Sequence, residues 1–202
     1  MIKAIIFDFD GVLCHDRFYE EMLVPKHQEL YDWLQENIFS NEDLFCQWMR
    51  NEVNTSDINK IIAKGTGYRE KFLSIVLLES LQAIRLEEKM FGLAKSLKEV
   101  YNKKIALVTD NMDVFSEVIA KKHKLSEIFD VVVNSADHGC LKAEQNGRLF
   151  EEALKVLDEE IGECLFIDNS PRNVEAFKQK GGQGFLYNNN FEELNNFLKI
   201  YT

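Results

Sequence analysis

Apolar positions along the chain follow two different rhythms. From residue 18 to about residue 88 they recur at helical spacing, and no segment there predicts a convincing strand. From residue 103 onward, short apolar runs of strand length alternate with amphipathic segments of helical length. The predicted strands are 3–8, 104–109, 131–133, 163–168 and 184–187, and the helices that follow them are 114–122, 149–157, 174–180 and 191–198.

This alternation predicts an α/β fold with a doubly wound parallel sheet. The run at residues 3–8 is apolar and partly β-branched, as suits a strand buried on both faces of such a sheet. The helical block must then be an insertion between the first strand and the others. We therefore predict a core formed by residues 1–14 and 89–202, and a helical domain formed by residues 15–88.

Two helix starts are predicted inside the inserted block. The segment from Ser40 to Asp43 resembles a capping box, in which the side chains at the two ends bond each other's backbone N–H. The segment that begins at Thr55 is expected to open the next helix.

Composition and charge exclude several classes of protein. Apolar residues make up 46% and charged residues 29% of 202, which is ordinary for a globular domain. The net charge of −10 argues against binding to a nucleic-acid backbone. No export signal is visible and no apolar run is long enough for a membrane span, so no membrane partner is expected. The four cysteines are scattered, which indicates neither a zinc site nor a disulfide framework and favours a reducing cytoplasm.

Two carboxylates follow the amino-terminal strand at the point where it ends. Asp8 and Asp10 are separated by one residue, and Gly11 then permits a sharp turn. In open α/β sheets the ligand binds in the crevice beyond the carboxyl ends of the strands, so the two acids are expected to face a ligand. The alternative is that they only cap the element that follows.

Polar side chains also end the second predicted strand. Thr109, Asp110 and Asn111 offer a hydroxyl, backbone N–H groups and an amide, which together can hold a phosphoryl oxygen. The alternative is a helix N-cap.

A further carboxylate, Asp168, ends the strand before the last crossover, and Asn169 follows it. Ser170 and Pro171 form a good capping pair for the next helix, which leaves Asp168 free to bind a ligand. Lys142 stands between these strands, just before a helix. Considered alone, it would be interpreted as a surface lysine.

The order of these groups resembles that of the haloacid dehalogenase superfamily of hydrolases, in its helical-cap branch. Residues 8–13, 108–111, 142 and 166–173 correspond to the four motifs, so the resemblance covers the whole chain. It implies a Rossmann-like catalytic core with an inserted helical cap domain. It also implies a Mg²⁺-dependent phosphatase that hydrolyses a small phosphorylated metabolite through an aspartyl-phosphate intermediate.

The resemblance assigns roles to individual positions. Asp8 would be the nucleophile, and Asp10 would protonate the leaving group and then activate water. The residues implied to bind phosphate are Thr109, Asp110, Asn111 and Lys142. The residues implied to hold Mg²⁺ are Asp8, Asp10, Asp168 and Asn169. Family members that displace halide lack an acid two residues after the nucleophile, because halide needs no proton, so Asp10 favours phosphoryl transfer.

Other functions remain open. A phosphomutase shares all four motifs. A catalytically weak protein that binds a phosphorylated ligand is suggested by Ala143, where the family often has proline, and by Asn169, where a second acid is common. Within the cap, the segment from Lys64 to Arg69 carries two glycines and two cations. It is interpreted either as a loop that contacts the leaving group or as a solvated turn.

Overall fold

The computed structural model describes residues 1–201, and a five-stranded parallel sheet forms its centre. The strands are β1 (Ala4–Phe7), β2 (Lys104–Thr109), β3 (Val131–Asn134), β4 (Cys164–Asp168) and β5 (Gln183–Leu186), in the spatial order β3-β2-β1-β4-β5. β1 is central, with Phe7 paired to Leu107 on one side and to Ile167 on the other. The predicted doubly wound α/β fold is confirmed, with strand ends within one residue of the predicted positions at all five strands.

Helices cover both faces of the sheet, since successive side chains of a strand point to opposite faces. On one face, Ile5 and Phe7 of β1 pack in a hydrophobic core with residues of the helices at 88–99 and 191–198. On the other face, Ile6 packs with Phe166 and with the helix at 148–157. β1 is therefore buried on both faces, and only its ends are available for chemistry.

The inserted block between β1 and β2 contains helices and turns. Its helices are α1 (Glu20–Leu23), α2 (Gln28–Leu34), which continues as a π-helical turn (Gln35–Phe39), α3 (Glu42–Met49), α4 (Thr55–Thr66) and α5 (Glu70–Ala83). The helices that follow are α6 (Glu88–Glu99), α7 (Ala120–Lys122) preceded by a π-helical turn (Phe115–Ile119), α8 (Leu125–Ile128), α9 (Ser135–His138), α10 (Arg148–Leu157), α11 (Pro171–Gln179) and α12 (Phe191–Leu198). Among residues 1–201, none of these helices has the length and apolarity needed to cross a membrane.

The start of α3 differs from the prediction. Ser40 ends the preceding π-helical turn, because its N–H donates to the carbonyl oxygen of Gln35 at 2.9 Å. Asn41 is the N-cap instead, and its side chain accepts from the N–H of Leu44 at 3.2 Å. The capping box expected from Ser40 to Asp43 was therefore wrong.

The start of α4 at Thr55 is confirmed. Asn54 is its N-cap, and the reciprocal bonds between Asn54 and Asp57 form a capping box. A capping box thus lies in this block, but one helix later than expected.

The chain passes from the core into the inserted block and back at adjacent positions. Arg85 donates from its backbone N–H and its guanidinium to the carboxylate of Asp16, at 2.8 to 3.2 Å. Close by, the N–H of Glu87 donates to the carbonyl oxygen of Leu13 at 2.8 Å. These bonds support the proposed division into a core of residues 1–14 and 89–202 and a cap of residues 15–88, which stays a prediction.

Candidate active site

Three strands end together at one edge of the sheet, and each ends in a buried polar residue. Asp8 follows β1 directly, Thr109 is the last residue of β2 and Asp168 is the last residue of β4. The parallel register brings them together. Phe7 of β1 pairs with Leu107, two residues before Thr109, and with Ile167, the residue directly before Asp168. All three side chains are buried, so the edge forms a polar site inside an otherwise apolar core.

Lys142 reaches into this edge and is not a surface lysine. Its ammonium Nζ lies 2.6 Å from Asp8 Oδ1 and 2.7 Å from Asp168 Oδ2, and 5.7 Å from the centroid of the Phe166 ring. Burial acts to lower the pKa of Lys142, but the carboxylates of Asp8, Asp168 and Asp110 outweigh it and raise the pKa above its ordinary value. The side chain therefore remains a cation at neutral pH.

The turn that carries Lys142 is held by two carboxylates. The N–H of Lys142 donates to Asp110 Oδ1 at 2.8 Å, and the N–H of Leu141 donates to Glu144 Oε2 at 3.0 Å. The carboxylate of Asp110 anchors this turn, and the expected role of Asp110 in phosphate binding stays a prediction. Glu144 was not identified from the sequence. Position 143 is an alanine and not a proline, and hydrogen bonds of the neighbouring residues Leu141 and Lys142 hold the turn instead.

Asp10 is held by Asn111. The Asn111 amide donates from Nδ2 to Asp10 Oδ2 at 2.8 Å, and burial raises the pKa of Asp10 to about 7. The backbone N–H of Asn111 donates to Ser135 Oγ at 2.9 Å, and its Oδ1 accepts from Met112 N–H at 3.0 Å. Asn111 therefore orients Asp10 with one of its two amide N–H donors, and its expected role as a phosphate ligand stays a prediction.

The surroundings of Asp168 confirm one part of the sequence interpretation and correct another. Ser170 does cap α11 with Pro171 in the first turn. However, Asp168 is not free: Oδ1 accepts from Ser170 N–H at 2.6 Å, and Oδ2 accepts from Asn173 Nδ2 at 3.1 Å and from Lys142. Each carboxylate oxygen has two lone pairs, so Oδ1 retains capacity for one further partner.

Two buried oxygens at this edge have no hydrogen-bond partner within the protein. They are Thr109 Oγ1 and Asp8 Oδ1. The Asp8 oxygen forms an ion pair with Lys142, whose ammonium lies 2.6 Å away. An unsatisfied buried polar atom costs about 1–3 kcal/mol, so the presence of such atoms at two neighbouring strand ends indicates a ligand-binding site.

A cavity of about 540 Å³ opens over these groups. From the core it is lined by Asp8, Asp10, Gly11, Cys14, Asp110, Lys142, Asn169, Ser170 and Asn173, and from residues 15–88 by His15, Asp16, Arg17, Phe18, Gln35, Phe39 and Phe45. A larger open groove, of about 870 Å³, lies near Lys155 and Glu159, away from the strand ends, and we assign the site by its chemistry and not by volume.

Neither Lys64 nor Arg69 lines this cavity. Lys64 lies in the last turn of α4, Arg69 precedes α5, and both side chains are exposed. Their contact with a leaving group stays a prediction, and other residues of the inserted block occupy the cavity wall.

Gly11 shapes the turn after β1. Its φ of +76° lies in the left-handed region, and a Cβ placed on it would come within 2.0 Å of Asn169 Nδ2. Asn169, which the sequence analysis placed among the residues that hold Mg²⁺, thus packs directly on the turn that carries Asp10.

The charge balance of the site fits a hard divalent cation. Four carboxyl groups, those of Asp8, Asp10, Asp110 and Asp168, surround the single ammonium of Lys142. Burial raises the pKa of Asp8 well above its ordinary value and also raises that of Asp110. Within residues 1–201 no three Asp, Glu, His or Cys side chains are preassembled as a metal cluster. The oxygen-only donors nevertheless match Mg²⁺, which keeps several waters and needs few protein ligands.

Comparison with known proteins places this geometry in a family. A family model for haloacid dehalogenase-like hydrolases matches residues 2–181. A search of curated protein sequences gives no match.

Three solved structures share the fold at low sequence identity. One is a HAD-like family hydrolase from Porphyromonas gingivalis, with TM-score 0.77, 18% identity and coverage of 100% of this chain and 98% of that chain. Another is a HAD family enzyme from Bacteroides thetaiotaomicron in complex with magnesium and inorganic phosphate, with TM-score 0.66, 17% identity and coverage of 92% and 93%. The third is L-2-haloacid dehalogenase from Xanthobacter autotrophicus, with TM-score 0.68, 18% identity and coverage of 91% and 76%. With a family model matched over most of its length, the chain belongs to the haloacid dehalogenase-like hydrolases.

Proposed function

We propose that this hydrolase is a Mg²⁺-dependent cytoplasmic phosphatase that acts on a small phosphorylated metabolite and forms an aspartyl-phosphate on Asp8. The observation that carries the proposal is the buried hydroxyl of Thr109, which has no hydrogen-bond partner in the protein. This hydroxyl lies at the same edge of the sheet as the ion pair between the Asp8 carboxylate and the Lys142 ammonium. A phosphoryl group bound at this edge would accept hydrogen bonds from both Thr109 and Lys142. A carboxylate oxygen of Asp8 would then attack phosphorus.

Asp10 is suited to move the proton in both half-reactions. As the bond from phosphorus to the leaving oxygen breaks, Asp10 donates its proton to that oxygen. In the second half-reaction Asp10 takes a proton from the water that attacks phosphorus, and the Asp8 carboxylate is released. A pKa of about 7 supports both steps near neutral pH, and Asn111 keeps the carboxyl group in place.

The metal would be held by carboxylate oxygens of Asp8 and Asp168 and by the backbone carbonyl of Asp10, while the Asn169 amide orients a bound water. When bound, Mg²⁺ would offset the negative charge between the Asp8 carboxylate and the phosphoryl group. The presence of magnesium and phosphate in the Bacteroides enzyme supports this proposal.

Dehalogenation is the competing reaction, because one neighbour in structure is an L-2-haloacid dehalogenase. A halide leaves without a proton, so a halide-displacing enzyme has no need for an acid at position 10. Here Asp10 lines the cavity and is oriented by Asn111, which favours an alkoxide leaving group.

Turnover measurements test the proposal. The purified protein should release inorganic phosphate from acetyl phosphate in the presence of Mg²⁺, lose this activity with a chelator, and lose it in Asp8→Asn. Several outcomes would overturn the proposal: turnover of a 2-haloacid without phosphatase activity, phosphate binding without turnover, transfer of phosphate to a second hydroxyl without release, or full activity in Asp8→Asn.

A further inference from the structure

The cap side of the cavity is a wall of aromatic rings. Phe18, Phe39 and Phe45 line it, and all three are half-buried. The rings of Phe39 and Phe45 lie 6.2 Å apart between centroids, and Phe39 is backed by the buried rings of Tyr19 at 6.2 Å and Trp48 at 6.4 Å. This packing holds the wall in place opposite the acidic strand ends.

Four polar residues accompany these rings on the cap side of the lining. Gln35 is the amide on this part of the lining, while His15 and Arg17 lie at exposed positions. Asp16 also lines the cavity, but its carboxylate is engaged by Arg85. A sugar hydroxyl placed directly against the three phenylalanine rings would lose its bonds to water without gaining a partner from them, at a cost that disfavours polyhydroxylated groups at that position.

We propose that the leaving group recognised here is an aromatic or otherwise flat apolar alcohol, so that the substrate is its phosphomonoester and not a sugar phosphate. The inference rests on the proposed phosphatase function and deepens it. Aromatic rings gain from burial against other rings, in offset or edge-to-face arrangements, whereas each buried hydroxyl needs a partner that this wall does not offer.

Three substrates with different leaving groups test the proposal. Acetyl phosphate reports the chemistry at the strand ends, 2-phenylethyl phosphate adds an aromatic ring, and glucose 6-phosphate adds hydroxyl groups. We expect kcat/KM for 2-phenylethyl phosphate to exceed that for glucose 6-phosphate by about 100-fold, on the scale of burying one large apolar side chain.

Variants of the wall give a second measurement. Phe45→Ala should raise KM for 2-phenylethyl phosphate about tenfold, a loss concentrated on that substrate, and Phe45→Leu should restore most of it because the apolar volume returns. Ile75→Ala, which shortens an exposed side chain of α5, is the matched control.

The outcomes separate this inference from the function on which it rests. No turnover of acetyl phosphate would overturn the phosphatase assignment itself. Turnover of acetyl phosphate with glucose 6-phosphate preferred over 2-phenylethyl phosphate, or equal losses on all three substrates in Phe45→Ala, would overturn only the aromatic leaving group.

A second inference rests on a different contact, an ion pair that joins the cap to the Lys142 turn. Arg50 follows α3 and donates to Glu144 in a bidentate arrangement, from Nε to Oε2 at 2.9 Å and from Nη2 to Oε1 at 2.8 Å. The same Glu144 accepts from the N–H of Leu141, and its own N–H donates to the Leu141 carbonyl oxygen at 3.0 Å. Lys142 lies inside this closed turn.

We infer that Arg50 is a positioning residue, which acts through Glu144 to hold Lys142 at the transferring phosphoryl group. A bidentate guanidinium–carboxylate pair fixes direction as well as distance, and a lysine at position 50 would not reproduce its planar geometry. The turn that lacks the family's proline at Ala143 is thereby ordered by a residue of the cap.

Kinetics of Arg50→Ala with acetyl phosphate test this role. We expect kcat to fall about tenfold in Arg50→Ala and to be restored only in part by Arg50→Lys. Glu144→Gln should lower kcat by a similar factor. The double variant Arg50→Ala/Glu144→Gln should have a kcat no lower than that of either single variant. Lys60→Ala, which breaks an exposed ion pair with Asp57 elsewhere in the cap, is the control. An unchanged kcat with a lowered Tm would reduce the ion pair to a structural contact, and additive losses would show that Arg50 does not act through Glu144.

Discussion

Replacing the buried ammonium of Lys142 by an apolar chain of similar length is expected to destabilise the protein strongly. The side chains of Lys142 and Asp8 are 2% and 8% exposed, and that of Asp168 is 0% exposed. Lys142→Met leaves both carboxylates buried without their cation. Breaking a buried pair in this way costs about 3–5 kcal/mol, whereas removing an exposed pair costs about 0–1 kcal/mol.

The loss of unfolding free energy in Lys142→Met should become smaller as the pH falls. Without the ammonium, the pKa of Asp8 in the folded protein rises further above its ordinary value, because the attraction of Lys142 that opposes the effect of burial is lost. A carboxyl group whose pKa is raised by folding destabilises the folded protein most when it is ionised. The loss of unfolding free energy is therefore largest above the folded-state pKa, and it disappears at a pH where the group is protonated in both the folded and the unfolded protein. The difference in stability between Lys142→Met and the unchanged protein should therefore shrink as the pH falls from 8 towards 5.

Urea unfolding in metal-free buffer, followed by tryptophan fluorescence at several pH values, measures this difference. Lys155→Met is the control, because its side chain is 68% exposed and its ion pair with Glu152 should contribute little. A loss below about 1 kcal/mol for Lys142→Met at neutral pH, or a deficit that grows as the pH falls, would contradict the reasoning from buried charge.

Three further substitutions test other parts of the site. Asp10→Asn should slow phosphoenzyme formation ~10²–10⁴-fold with an alkyl phosphate and less with an aryl phosphate, measured by rapid-quench labelling, and equal slowing would make Asp10 structural. Thr109→Val removes a buried hydroxyl without a partner, so unfolding free energy should stay the same or rise by up to about 1 kcal/mol while kcat falls; a loss of stability would mean that the hydroxyl is bonded in solution. Gly11→Ala forces a Cβ to within 2.0 Å of Asn169 Nδ2 at a φ of +76°, so thermal unfolding should show a loss of about 1–3 kcal/mol, and an unchanged Tm would disprove the close contact.

The pattern of apolar positions was sufficient to predict the sheet and most of its flanking helices. Strand β1 could be recognised because a chain buried on both faces must be continuously apolar, and the alternation that follows has few other solutions. The motif order also singled out Asp8, Asp10, Thr109, Lys142 and Asp168, and all of these except Lys142 lie at or just after strands that end at one edge of the parallel sheet.

Helix ends were less predictable. Ser40 and Asn41 are both good N-cap residues, and the choice depended on where the preceding turn finished, which packing against the rest of the cap determines. The same limit applies to Lys64 and Arg69: their composition suits a binding loop, but their distance from the cavity depends on how α4 and α5 pack.

The hydrogen-bond partners of the candidate site residues could not be predicted from local sequence. The amide of Asn111 is a group that can bind phosphate, yet it donates a hydrogen bond to Asp10, which is 101 positions away in the chain. Glu144 and Arg50 are 94 positions apart and belong to different parts of the fold. Spacing along the chain determines which strand carries each reactive group, because a strand's end is a local property. Contacts between distant segments determine which donors those groups bind and which rings face them across the cavity. The reason is that a side chain forms hydrogen bonds with whichever partner the packed fold brings within reach.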